Sequence, residues 1–145
     1  MKLKLVSLLA ISIALTTSCS RHETMTQVPT MLLPGAKNLS NNQVKKAIIK
    51  AGKETKWSCA SEAPGMMLCV YNSRSSSATV KVIHTSEQFT IHHVSSTNLK
   101  EKHGKINPKY NKWVSDLKTA IMTKVSEVSE DQEPANSVFI TNNIR

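Results

Sequence analysis

The stretch KWSCASEAPGMMLCVY, Lys56–Tyr71, decides how this chain folds. Lys56–Ser61 and Gly65–Tyr71 read as strands, and EAPG, Glu62–Gly65, reads as the turn between them. A loop of Ala63–Gly65 pairs Glu62 with Met66, a register that sets Cys59 opposite Cys69 and Trp57 opposite Tyr71. Opposed residues of an antiparallel pair have Cα atoms ~4.5–5.5 Å apart, inside the ~4.4–6.8 Å that a disulfide spans. A Cys59–Cys69 disulfide is the expectation; the alternative is two small thiols packed on the core face.

Ala78–Thr85 and Gln88–Val94 read as a second hairpin about Ser86–Glu87, with Val82 opposite Ile91 and His84 opposite Phe89. If Tyr71 pairs with Ala78, then Cys69 faces Val80 and Met67 faces Val82. Every register then agrees on one apolar face: Trp57, Cys59, Met67, Cys69, Tyr71, Ala78, Val80, Val82, Phe89 and Ile91. That consistency predicts a four-stranded antiparallel meander.

Helices flank it. LSNNQV, Leu39–Val44, holds a capping box of Ser40 and Gln43 and a hydrophobic staple of Leu39 and Val44. Val44, Ala47, Ile48 and Ala51 follow at helical spacing, and Gly52 reads as the stop. The second helix opens at INPKY, with Asn107 as cap and Pro108 in the first turn. Tyr110, Trp113, Val114, Leu117, Ala120, Ile121 and Val125 make its apolar stripe. The fold class is therefore α+β: helix, four-stranded antiparallel meander, helix, with both helices on one face of the sheet.

LSNNQVKKAIIKAG (Leu39–Gly52), Trp57, Pro64–Gly65, SSTNL (Ser95–Leu99) and INPKYNKW (Ile106–Trp113) resemble a family of small bacterial envelope proteins, often lipoproteins, with no assigned activity. The resemblance covers roughly residues 38–122. It implies an exported α+β domain and carries over no catalytic residue. The Cys59/Cys69 pair would be particular to this chain.

The N-terminus bears on the compartment. Lys2 and Lys4 precede Leu5–Leu15, eleven uncharged residues. A bilayer span needs ~20 apolar residues, so this run has the length of a secretory signal instead. LTTSCS, Leu15–Ser20, looks like a lipobox in which Leu15 lies one place too far upstream and Thr16 takes its position. Cys19 is the expected lipidation site; the alternative is ordinary secretion with Cys19 a free or disulfide-bonded thiol. With Cys19 acylated, Cys59 and Cys69 remain as an even pair, as suits an oxidising space. Ser20 in place of Asp points to the outer membrane, facing the periplasm. The expected division is a lipoprotein signal peptide over 1–18, a lipid-anchored tether over 19–38, an α+β domain over 39–126 and a flexible acidic tail over 127–145. Ser137–Thr141 could add a short strand.

Charge is uneven along the chain. Residues 41–126 carry fourteen Lys/Arg against five Asp/Glu, whereas the tail after Val125 is net negative. A basic domain suits an anionic envelope partner: anionic lipid, lipopolysaccharide phosphates or an acidic protein. The candidate contacts are Lys45, Lys46, Lys50 and Lys53 on the first helix and Lys100, Lys102 and Lys105 in the loop before the second. A solvated lysine surface is the plainer reading. Scattered lysines and few aromatics give no stacking platform, so no nucleic-acid partner is expected.

Catalytic patterns are lacking. His92 and His93 are adjacent in a strand and point to opposite faces, and no HExxH, GxSxG or SxxK occurs. No metal or cofactor is expected. The serines of NSRSSS, Asn72–Ser77, read as a polar loop. The functional expectation is a non-enzymatic interaction domain. The alternative is a periplasmic binding module for a small amphipathic ligand, its pocket lined by Met66, Met67, Leu68 and Met122. An enzyme would need a buried titratable cluster around His93.

Overall fold

A computed structural model describes residues 21–35 and 38–131. The expected signal peptide, Cys19, Ser20 and residues 132–145 lie outside the described residues. In chain order the elements are β1 (Glu23–Thr24), β2 (Val28–Leu32), α1 (Asn41–Glu54), β3 (Trp57–Ala63), β4 (Met66–Asn72), β5 (Ser77–His84), β6 (Gln88–Thr97), β7 (Lys105–Ile106) and α2 (Pro108–Glu130). The fold is α+β, with a five-stranded antiparallel sheet of order β2-β6-β5-β4-β3 and a separate two-stranded β1-β7 ribbon.

The hairpin registers follow from the alternation of apolar residues. Cys59 pairs with Cys69 and Trp57 with Tyr71. Tyr71 pairs with Ala78, Cys69 with Val80 and Met67 with Val82. Val82 pairs with Ile91 and His84 with Phe89. Trp57, Met67, Cys69, Ala78, Val80, Val82, Phe89 and Ile91 are buried, with Cys59 and Tyr71 packed partly exposed against them. Burial of each large apolar side chain contributes about 1.5–3 kcal/mol. The expected pairing of Glu62 with Met66 is corrected: Ala63 pairs with Met66, and Glu62 is the extra residue of a bulge after Ser61. The loop is thus only Pro64–Gly65. Gly65, at φ +71°, supplies the left-handed residue so tight a turn needs.

Both helix starts have the caps their sequences encode. Ser40 Oγ accepts from the Gln43 amide at 3.3 Å, and the Ser40 amide donates to Gln43 Oε1 at 2.8 Å. Asn107 Oδ1 accepts from the Lys109 amide at 3.0 Å. Helix α1 does not stop at Gly52. It runs to Glu54, is capped by Thr55, and leaves Lys56 at φ +65°. Gly52 is there for clearance: a Cβ would meet Cys59 Sγ at 2.8 Å and the Trp57 carbonyl oxygen at 3.0 Å.

Four further departures have physical causes. Residues 23–32, expected within the tether, instead form β1 and β2, so the sheet has five strands rather than four. Met25, Val28 and Leu33 are buried there, but a register slip between Val28 and Met31 breaks the period-two pattern. Pro29 is tolerated because β2 is an edge strand. Strand β6 runs past Val94 to Thr97 because Val94 is bulged out: Val80 pairs with His93 and Thr79 with Ser95. The loop before the second helix holds β7, which pairs Thr24 with Lys105. Finally, α2 extends to Glu130, past the expected start of the tail at 127, with Val125 buried and Val128 packed on the core.

Asn111 ties the N-terminal segment to α2. Its Oδ1 accepts from the Thr26 amide at 2.8 Å, and its Nδ2 donates to the Thr24 carbonyl at 2.9 Å. Helix α1 packs on α2, β3 and β5. Lys124 reinforces the helix pair, its Nζ 2.7 Å from Glu54 Oε1 and 2.9 Å from Glu127 Oε1. No described helix is long and apolar enough to cross a membrane.

Candidate functional site

The expected lysine contacts divide between two places. Lys46, Lys50 and Lys53 are exposed on α1, and Lys45 is half-buried. Lys100, Lys102 and Lys105 are exposed on the segment that carries β7. None of the seven takes part in an ion pair among the described residues.

Two of them converge. Lys102 and Lys105 are joined by reciprocal backbone hydrogen bonds of 2.9 and 3.0 Å. His103 at φ +52° and Gly104 at φ +71° form the turn between them. Two successive left-handed residues define a type I′ turn. Strand β1 lies along β7, and the Met25 amide donates to the Gly104 carbonyl at 2.8 Å. This ribbon brings His22 to the turn, and His22, Lys102, His103 and Lys105 line an open groove of about 620 Å³. No carboxylate is among those lining residues. Two lysines and two imidazoles facing one concavity suit phosphate or carboxylate groups, as charge-assisted hydrogen bonds to anions are the stronger kind. The sequence supplied both lysines; the two histidines become legible only once β1 and β7 are paired.

A second cavity, of about 300 Å³, opens where α1 passes into β3. Its floor is aromatic. Tyr71 of β4 stacks on Trp113 of α2, with centroids 4.2 Å apart and planes at 21°. Trp57 braces Tyr71 edge-on at 5.4 Å and donates from Nε1 to the Trp113 carbonyl at 3.3 Å. Glu54, Thr55, Lys56, Lys112 and Asp116 also line it. Lys112 Nζ holds Asp116 Oδ2 at 2.8 Å. Lys56 keeps its left-handed backbone without the freedom of glycine, a conformation costing about 1–2 kcal/mol for an ordinary residue. The sequence reading took Trp57, Tyr71 and Trp113 as core. Trp57 is buried, but Tyr71 and Trp113 are only half-buried. The signal available was the Trp57–Tyr71 register, which gathers aromatics at one end of a hairpin.

The remaining candidates are brought to other uses. Cys59 and Cys69 are joined, with Sγ atoms 2.03 Å and Cα atoms 4.0 Å apart. Met67 is fully buried, and none of Met66, Met67, Leu68 or Met122 lines either cavity. His92 Nε2 lies 2.9 Å from Thr90 Oγ1. His93 meets Tyr110 edge-on at 5.2 Å and lies 3.8 Å from Glu101. Burial, with Glu101 adding to it, pushes the Tyr110 hydroxyl's pKa up. His84 is buried with Nδ1 unpartnered. Desolvation holds its pKa below the ordinary value, opposed by a hydrogen bond with the Thr85 backbone and assisted by the Lys45 charge. No group of three or more His, Cys, Asp or Glu that could hold a metal occurs among the described residues.

The chain matches no family model, and no curated protein or solved structure is detectably similar to it.

Proposed function

We infer that this chain is a lipid-anchored protein of the bacterial envelope, attached through Cys19 to the outer membrane and facing the periplasm. Its folded domain, with both helices laid on one face of the sheet, is a non-enzymatic interaction module resting on an anionic surface. The observation that carries this reading is the place of His22. It lines the basic groove with Lys102, His103 and Lys105, and it stands three residues after Cys19. Three extended residues reach at most about 10 Å, close to the ~8 Å over which charges act at physiological salt. A chain leaving the bilayer at Cys19 therefore holds this groove against the headgroup layer, where anionic lipid or lipopolysaccharide phosphate is concentrated. Lys45, Lys46, Lys50, Lys53 and Lys100 add longer-range attraction. The amphipathic-ligand reading draws no support from its four residues, which line neither cavity.

The anchor and the groove are tested separately. Intact mass of the mature protein should show acyl chains on a chain beginning at Cys19, and Cys19→Ala should leave an unprocessed precursor. A mature, unmodified chain starting elsewhere would end the anchored reading. Hydrogen exchange of residues 102–106 should be slower on phosphatidylglycerol vesicles than on phosphatidylcholine vesicles. Equal exchange on both would leave the lysines as a solubility feature.

A further inference from the structure

We propose that the cavity floored by Tyr71 and Trp113 is a binding site for one uncharged pyranose ring of a glycan. The inference is independent of the anchor and of the basic groove.

Three properties of the cavity lead to it. The first is a rigid aromatic floor. Trp57, itself buried, meets Tyr71 in an edge-type ring contact and reaches the Trp113 carbonyl with its indole N–H. Tyr71 and Trp113 are therefore held before any ligand arrives, which removes the ordering cost that weakens most small-ligand sites. The two rings cover one face of each other and are partly buried; an aromatic face left open carries partial negative charge and attracts weakly positive C–H groups. One face of a pyranose is a cluster of such C–H groups.

The second is a rim of balanced charge. Glu54 and Asp116 stand among the lining residues with Lys56 and Lys112. An anionic ligand meets the two carboxylates and a cationic one meets the two ammonium groups, so neither is selected. Carboxylate oxygens accept several hydrogen bonds and ammonium groups donate them. Donors and acceptors together around an aromatic surface match the edge of a sugar, where each hydroxyl does both. Asp116 is pre-aimed by Lys112 at 2.8 Å and Glu54 by Lys124 at 2.7 Å.

The third is Lys56. At φ +65° after the cap of α1, it occupies a backbone position that favours glycine. Its ammonium has no ion-pair partner among the described residues, and its side chain lines this cavity. A strained residue whose side chain contributes only to a cavity is a reason to assign that cavity a ligand. The volume, about 300 Å³, suits one ring of a longer chain entering from the open side.

The test is an NMR titration of the full mature chain with methyl β-D-glucopyranoside, methyl β-D-galactopyranoside and the methyl β-glycoside of N-acetylglucosamine, each to about 50 mM. With two tryptophans in the chain, the indole N–H signals report floor and brace separately. At least one glycoside should shift the Trp113 indole saturably, with a dissociation constant on the order of 1 mM, as suits one ring on an open site. Asp116→Asn and Lys56→Gly, which leave the aromatic floor intact, should each weaken that binding about threefold or more. Absent or non-saturating shifts with all three glycosides would overturn the proposal. So would saturable shifts that persist unchanged in both variants, because the ligand would then sit elsewhere.

Discussion

Replacing Gly52 with alanine sets two magnitudes against each other, and the structure decides the sign. In a helix interior alanine is better than glycine by about 0.8–1.0 kcal/mol, and Gly52 lies inside α1, two residues before its end. On helix propensity alone Gly52→Ala stabilises the protein. The added methyl, however, would stand 2.8 Å from Cys59 Sγ and 3.0 Å from the Trp57 carbonyl oxygen. Neither atom can yield cheaply: the sulfur is bonded to Cys69, and the oxygen belongs to the β3 backbone. Overpacking of this kind costs typically ~1–3 kcal/mol. We therefore expect a net loss of up to about 2 kcal/mol, seen in urea unfolding as a lower midpoint at unchanged slope, or as a fall in Tm of about 4–8 °C for each kcal/mol lost. The same substitution in a Cys59→Ala/Cys69→Ala chain removes the sulfur, so the penalty should shrink by about 0.5 kcal/mol or more, the coupling expected of residues in contact. That reference chain should itself be less stable by about 2 kcal/mol or less, because the bridge closes a hairpin that is already local. A Gly52→Ala protein more stable than the parent would refute the reasoning, since it would mean that α1 does not press on the disulfide.

Three other outcomes are expected. Stability should be level above about pH 6.5 and fall below it, because the unfolded chain then takes up a proton that buried His84, its pKa lowered, refuses; His84→Leu should flatten that slope in urea melts at stepped pH. Asn111→Ala should cost about 0.5–1.5 kcal/mol by removing the hydrogen bonds to the Thr26 amide and the Thr24 carbonyl, and should speed proteolysis of residues 21–33 ahead of the rest. Lys56→Gly should raise stability by about 1 kcal/mol, while Lys56→Ala, which keeps the strain, should not; equal effects in chemical denaturation would place the strain elsewhere.

The central meander was legible because a single set of registers puts the apolar residues of every hairpin on one face. Four strands whose registers all place the apolar set on one face leave little freedom, and that register sets Cys59 opposite Cys69, while the bond itself was expected with help from an oxidising compartment. The helix starts were legible because Ser40, Gln43, Asn107 and Pro108 act locally. What was hidden depends on interruptions of period. Val28 and Met31 are both directed inward, yet a bulge stands between them. Bulges at Glu62 and Val94 likewise moved strand ends that alternation had set. Gly52 was read as a stop because glycine commonly ends helices, whereas here its missing Cβ admits a sulfur from another element. The basic groove was half visible: Lys102 and Lys105 stood out by charge, but His22 joins them only through β1–β7 pairing of two-residue strands, too short to carry a pattern.

The distribution of backbone strain separates positions that serve the fold from those that serve a surface. Among the described residues, four other than glycine have left-handed backbones: Lys56, Asn98, Lys100 and His103. Asparagine tolerates that region well, and Asn98 has a structural use for its side chain, donating from Nδ2 to the Ser75 carbonyl at 2.6 Å. Lys56 and His103 are different. Glycine would satisfy the backbone at both, and neither side chain bonds to the fold among the described hydrogen bonds and ion pairs. Each instead lines a cavity, Lys56 beside the Tyr71–Trp113 floor and His103 in the basic groove. Nothing in the structure explains Lys100. Where a chain keeps a strained residue with a long polar side chain lining a concavity, stability is not what that residue supplies. Among the described residues the two linings differ in kind, His22, Lys102, His103 and Lys105 in one and two carboxylates with two lysines in the other, so the two proposed ligands, an anionic surface and a neutral glycan, would not compete for the same residues.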